Sequence, residues 1–297
     1  MRNNKRRLGV IGIGYSAAPL VDQLMAEGWS VWASTRSEEK ADQLRMKGID
    51  PLVWCAPDPL PGDLVAQTTL LVVSVSPTDE GCPALTAMVD TPMQEGARCF
   101  YLSSSGVYGD FDGDWVSEET ACRPETERGI RRLRAEQGWR DYARKTGTRL
   151  TLCRLAGIYG PGRNALASLQ DVTRGARAGL NQRVIKPGQV FNRIHRDDIV
   201  RGLEKLAEMD EPPAVVNFSD DSPAPPQDVI AYAASLLNVA PPPEVPLSEA
   251  ALSPMARSFY HDNKRLKNDI LKAVLGGELH FPTYQHGLDT IYKGGAF

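Results

Sequence analysis

Three short clusters in this chain have the residue types and spacing to bind anions or hold a polar reactant. The first is Gly12, Gly14 and Ala17, which stand at GxGxxA spacing within LGVIGIGYSAAPL, Leu8 to Leu20. Each small residue has a mechanical reason in such a turn. Gly12 permits a sharp reversal, Gly14 lets a pyrophosphate approach the backbone, and Ala17 lets helix and strand pack closely. The N–H groups that open the following helix then face the anion, so Tyr15, Ser16 and Ala17 join the two glycines as expected cofactor contacts. A glycine turn can also be purely structural. This one follows an apolar run, opens an amphipathic pattern through Leu20, Val21, Leu24 and Met25, and precedes a second strand-like run, Ser30 to Ser34.

The second cluster, Ser34, Thr35, Arg36 and Ser37, ends that second run, and no carboxylate appears until Glu38. An acidic residue there would accept hydrogen bonds from a ribose 2′-hydroxyl, whereas an arginine among small hydroxyls accommodates a 2′-phosphate. Hydroxyl donors and one cation suit a phosphate, so the expected cofactor is NADP(H) in preference to NAD(H). The alternative is that Arg36 stacks on the adenine, which it could do in either case. Ser74, Val75 and Ser76, at the end of the apolar run from Thr69, are expected at the same site. The third cluster is the serine run Ser103, Ser104 and Ser105.

The elements that must position these clusters alternate between strand and helix. Ser30 to Ser34 reads as a second strand, Glu38 to Lys47 as a charged helix stopped by Gly48, and Ile49 to Cys55 as a third strand. TLLVVSV, Thr69 to Val75, has the continuous apolar character of a strand buried on both faces. Arg98 to Ser103 and Leu150 to Leu155 follow as strands. Between them Pro124 to Lys145 reads as a helix whose Glu127/Arg131 and Glu136/Arg140 pairs, at i,i+4, support a solvated face. The fold class is therefore α/β, a Rossmann-like doubly wound parallel sheet with helices on both faces and a small C-terminal substrate lobe. Residues 1–163 are read as the dinucleotide-binding domain. Residues 164–297 are read mainly as the substrate lobe, with segments near 192–219 returning to the sheet. Within them Leu166 to Ala178 and Pro225 to Leu237 read as helices, Asn192 to His195 as extended, and Val215 to Phe218 as a strand. Asp197 or Asp198 is expected to cap a helix through Met209.

The chain has 297 residues and a formal net charge of −3, with both signs interspersed. Nothing in that balance asks for nucleic acid or an anionic membrane as partner. No apolar run has the length to span a bilayer and no signal-peptide core follows the N-terminus, so a soluble, cytoplasmic protein is expected. Cys55, Cys82, Cys99, Cys122 and Cys153 lack CxxC spacing and read as buried free thiols, and the four histidines show no metal-ligand spacing.

With these motifs in order, the chain resembles the extended short-chain dehydrogenase/reductase family, also called the NAD-dependent epimerase/dehydratase family. SSSGVYGD (Ser103 to Asp110) resembles the family's active-site serine strand, GIYGPGR (Gly157 to Arg163) the loop after its sixth strand, and NRIHRDDIV (Asn192 to Val200) the segment joining the substrate lobe. NKRLKND (Asn263 to Asp269) and FPTYQHGL (Phe281 to Leu288) resemble the closing segment of its atypical members. The resemblance implies that Ser104 holds the substrate's carbonyl or hydroxyl. It also implies a YxxxK motif on the next helix, whose tyrosinate is the acid/base and whose lysine lowers its pKa.

Anchoring on Pro124 and on Glu136-Gln137 places Arg128 at the tyrosine position and Arg132 at the lysine position. A guanidinium stays protonated at any working pH, so Arg128 cannot shuttle a proton. Three readings stay open. The two arginines bind an anionic group and stabilise developing charge; they belong to a solvated face; or proton chemistry has moved to Tyr108, Tyr159 or His195. Two functional readings follow: hydride transfer on a hydroxyl or carbonyl of a small polar molecule, by the resemblance a sugar or nucleotide sugar, or a non-catalytic NAD(P)-binding redox sensor or scaffold. Family members often pair through two long helices, which would here be Pro83 to Gln94 and Pro124 to Lys145, so a homodimer is one expectation.

Overall fold

Apolar runs that would be costly to leave in water pair in parallel at the centre of the molecule. The computed structural model describes residues 6–88, 91–173 and 182–297. Strand β1 (Arg7–Ile11) lies between β2 (Ser30–Thr35) and β4 (Leu70–Val73), in register Leu8 with Val31 and Leu8 with Leu70. Strand β3 (Asp50–Val53) pairs outside β2, and β5 (Arg98–Ser104) pairs with β4. The seven-stranded sheet runs in the order Val215–Phe218, Arg149–Leu155, β5, β4, β1, β2, β3. The winding direction reverses between β1 and β4, and in such sheets ligands sit beyond the carboxyl ends of the strands at that reversal. Both Gly12 and Ser74 follow those ends directly.

The helices in the first half are α1 (Ala17–Ala26), α2 (Glu38–Met46), α3 (Gly62–Ala66), α4 (Pro83–Met88) and α5 (Glu127–Thr146). A core of Ile11, Trp32, Leu71, Val73, Tyr101, Trp139 and Leu152 fills one side of the sheet. Trp139 stacks on Tyr101 with ring centroids 6.0 Å apart.

The chain forms two compact units, one of Met1–Val107, Glu127–Arg154 and Val200–Val216, the other of Tyr108–Thr126, Leu155–Ile199 and Asn217–Phe297. The second has its own core, in which Tyr159, Leu166, Val229, Ala233, Leu288 and Ile291 pack together. Among the described residues no helix is long and apolar enough to cross a membrane.

Several elements differ from the sequence reading, each for a physical reason. Helix α5 begins at Glu127 because the chain before it is committed elsewhere: the Arg123 N–H donates to the Tyr108 carbonyl at 3.1 Å. The helix Arg196–Glu208 already contains Asp197 and Asp198 in its first turn, so neither caps it. The capping acceptor is instead the His195 ring, whose Nδ1 takes the Asp197 N–H at 3.2 Å. The Asp198 carboxylate is spent on the N–H groups of His280 and Phe281, both at 2.9 Å. The helix expected over Leu166 to Ala178 is seen as Ala165–Thr173, and its remainder lies outside the described residues. Helix α4 is seen as Pro83–Met88; residues 89 and 90 lie outside the described residues, and Thr91 to Met93 are not helical.

Candidate functional site

The glycine turn is fixed from two sides. Gly12 has φ +90°, and a Cβ there would meet Val75 Cγ1 at 2.9 Å, so both conformation and space exclude a side chain. Its N–H donates to Ser34 Oγ at 3.0 Å, which ties the turn to the end of β2. A Cβ on Gly14 would meet nothing nearer than the Gly12 carbonyl at 4.0 Å, so that face of the turn is open to a ligand. Ala17 is fully buried at the start of α1. Ser16 is buried too, and its hydroxyl makes no capping bond.

A cavity of about 910 Å³ opens beside this turn. Gly12, Gly14, Ser34, Thr35, Arg36, Ser37, Ser74, Val75 and Ser76 line it, whereas Tyr15, Ser16 and Ala17 do not. Among the described residues no aspartate or glutamate lines it, and the charged groups on its wall are two cations, Arg36 and Lys40. The lining serines divide by role. Ser34 is 4% exposed and its oxygen is engaged by the Gly12 N–H, so it braces the turn. Ser37 caps α2, accepting the Lys40 N–H at 3.4 Å. Lys40 escaped the sequence reading, although its position four residues after Arg36, in the first turn of a helix, was the available signal.

These features fit a dinucleotide. The bare Gly14 leaves room for a pyrophosphate, and the acid-free wall with Arg36 at the β2 end gives an adenosine phosphate cationic partners.

The end of β5 carries a second group of polar residues. Ser103 donates to Glu136 Oε1 at 2.6 Å and is buried. Glu136 is fully buried and also receives Arg154, through Nε to Oε1 at 3.1 Å and Nη2 to Oε2 at 2.8 Å. Its i,i+4 partner Arg140 adds a bond at 3.3 Å. The Glu136/Arg140 pair therefore does not sit on a solvated face as its spacing implied; Glu127 and Arg131, 3.3 Å apart, do.

Ser104 is half-buried, and its Oγ accepts the Gly106 N–H at 3.1 Å as β5 passes into the single turn Ser105–Tyr108. Arg132 reaches back to this strand, donating from Nη1 to the Tyr101 hydroxyl at 2.9 Å and to the Leu102 carbonyl at 3.2 Å. Burial pushes the Tyr101 phenol pKa up, against the pull of Arg132. Arg128, one turn earlier on α5, is exposed.

The other residues considered for proton transfer lie in the second unit, and each is enclosed. Tyr108 is fully buried and its hydroxyl donates to Asn217 Oδ1 at 2.7 Å. Tyr159 is buried and its phenol pKa is raised, first by desolvation and then by Asp220 and Asp198. His195 is 1% exposed, packed edge-on to Tyr159 and 3.8 Å from the Phe281 ring centroid. Desolvation lowers its pKa, which favours the neutral ring.

The closing motifs act as braces. The Asn263 N–H donates to Asp110 at 2.7 Å, and the buried Lys264 ammonium donates to the Gly109 carbonyl at 2.6 Å, so NKRLKND holds the VYGD turn from outside. In FPTYQHGL, Thr283 caps the helix Tyr284–Lys293.

The model of the NAD dependent epimerase/dehydratase family matches residues 82–218. Protein YeeZ of Escherichia coli (strain K12) is 28% identical over 253 residues, covering 80% of this chain and 86% of its own. The solved structure of a functionally unknown conserved protein from Silicibacter pomeroyi DSS is 38% identical with a TM-score of 0.85, covering 98% of this chain and 100% of that one. UDP-glucuronic acid 4-epimerase from Bacillus cereus, solved in complex with NAD, is 13% identical with a TM-score of 0.75, over 97% of this chain and 96% of that one. At that identity the likeness is one of fold.

Proposed function

Because the chain belongs to the NAD-dependent epimerase/dehydratase family of extended short-chain dehydrogenases/reductases, we propose that it is an NADP(H)-dependent oxidoreductase acting on a carbonyl or hydroxyl of a small polar molecule. The observation that carries the proposal is the acid-free cavity beside the glycine turn, with Arg36 at the end of β2. An adenosine 2′-phosphate there meets a guanidinium and, among the described residues, no carboxylate, while a ribose 2′-hydroxyl finds no acidic acceptor among them. This departs from the NAD of the Bacillus cereus structure. That protein is named for UDP-glucuronic acid, and we extend only the class, a nucleotide sugar, to the substrate of this chain.

When bound, the nicotinamide supplies or accepts a hydride. Ser104, at the end of β5, holds the reacting oxygen through its hydroxyl. Arg132, fixed against Tyr101 and Leu102, keeps a permanent positive charge on the same strand and favours oxyanion character. Arg128 stands where the family has its proton-transferring tyrosine and cannot take that part, so in this reading solvent exchanges the proton with the substrate oxygen.

Arg128 also favours a second reading, binding without turnover. The full-length chain incubated with NADPH and a panel of nucleotide-sugar and small carbonyl compounds separates the two. Consumption of NADPH above the protein-free blank, abolished in Ser104→Ala, supports the enzyme. Tight NADPH binding with no consumption across the panel supports the sensor.

A further inference from the structure

The cavity beside the glycine turn holds a second cation whose placement the NADP(H) reading does not by itself explain. Lys40 Nζ lies 3.0 Å from the carbonyl oxygen of Ile13, the residue between Gly12 and Gly14. An ammonium has three donors, and this carbonyl takes one. Lys40 also lines the cavity, whose described residues include no carboxylate for the others.

The basic residues that follow it in the chain behave differently. Arg45, on the same helix, is paired with Asp42 at 2.6 Å and Glu38 at 3.7 Å, and Lys47 just beyond it with Asp22 at 3.7 Å. No carboxylate among the described residues lies within ion-pair distance of Lys40. Its position is also electrostatically unfavourable, because a cation in the first turn of a helix opposes the positive end of the macrodipole. An anion bound beside Lys40 would offset that cost.

We infer that Lys40 is a second ligand to the adenosine 2′-phosphate, forming with Arg36 a two-cation clamp that joins helix α2 to the glycine turn. The inference rests on the NADP(H) reading and adds to it the group that sets how strongly the phosphate is preferred. Arg36 supplies a planar fork just after β2, and Lys40 supplies a point charge from the first turn of α2.

The test is a titration of the full-length chain and its Lys40→Met variant with adenosine 2′,5′-bisphosphate and with AMP, probes that differ only in the 2′-phosphate. NADPH and NADH are titrated in parallel. Wild type should bind the bisphosphate more tightly than AMP. Lys40→Met should reduce that ratio by about tenfold or more, as expected for one charge-assisted hydrogen bond, with AMP and NADH affinity changed less than about twofold. Lys40→Arg should recover part of the ratio. An equal loss for both probes makes Lys40 a structural tether of the turn and overturns the inference, as does an unchanged ratio in a variant that melts like wild type. If wild type itself shows no preference for the 2′-phosphate, the NADP(H) reading fails, and the clamp with it.

Discussion

Glu136 and Arg154 face each other as a bidentate pair, 3.1 and 2.8 Å apart, with the two side chains 0% and 3% exposed. Removing one partner strands the other charge out of water. Glu136→Gln should therefore cost about 3–5 kcal/mol of stability, read as a drop in the urea unfolding free energy. Glu136→Leu combined with Arg154→Met should recover most of that loss, because the replaced groups no longer need each other. If Glu136→Gln unfolds within about 1 kcal/mol of wild type, the pair is not doing what its burial implies.

Ser104 ends β5 next to Ser103, the donor to Glu136, and its role is chemical in the proposed function. Ser104→Ala should lower kcat on order of 10²-fold for a substrate found by the panel, as loss of a single oxyanion partner does. NADPH affinity should stay within about twofold. A parallel loss of affinity and turnover would place Ser104 in cofactor binding instead.

Arg132 donates to a phenol that is fully buried. Arg132→Ala removes that donor and should destabilise the fold by about 1–3 kcal/mol, seen in the urea midpoint at unchanged m. A change within about 0.5 kcal/mol would show that the Tyr101 hydroxyl is satisfied without it.

His195 gives the stability a defined pH dependence. The folded ring has a lowered pKa, chiefly through burial, while the unfolded ring titrates near an ordinary value of about 6.5. Below that pH the unfolded chain binds more protons. Stability is then fully present above about 6.5 and falls as the pH drops from there toward the folded pKa. Urea midpoints across that window should decline less steeply in His195→Gln, whatever the variant's stability at neutral pH. Equal slopes would assign the acid sensitivity to other groups.

Much of this architecture was readable from local pattern. The strands at Leu8, Thr69 and Arg98 are buried on both faces, so their apolar runs are nearly unbroken, and Gly12 stands at a turn whose φ of +90° favours glycine. Roles set by distant partners were not legible. Ser34 appeared as a phosphate contact because its neighbours are Thr35 and Arg36, yet the Gly12 N–H, far away in sequence, engages its oxygen. Glu136 has the spacing of a surface ion pair, and only the fold brings Arg154 and Ser103 against it. Asp198 resembles a helix cap until the chain returns with His280 and Phe281 to take both its oxygens.

The central claim is that Arg36 and the acid-free wall beside the glycine turn select a 2′-phosphorylated dinucleotide. Calorimetric titration of the wild-type chain with NADPH and NADH tests it most directly, alongside Arg36→Asp, which puts an acidic acceptor at the end of β2. The account predicts NADPH binding at least about tenfold tighter than NADH in wild type, a difference of about 1.4 kcal/mol, and an inverted order in the variant. NADH binding equal to or tighter than NADPH in the wild-type chain would contradict it.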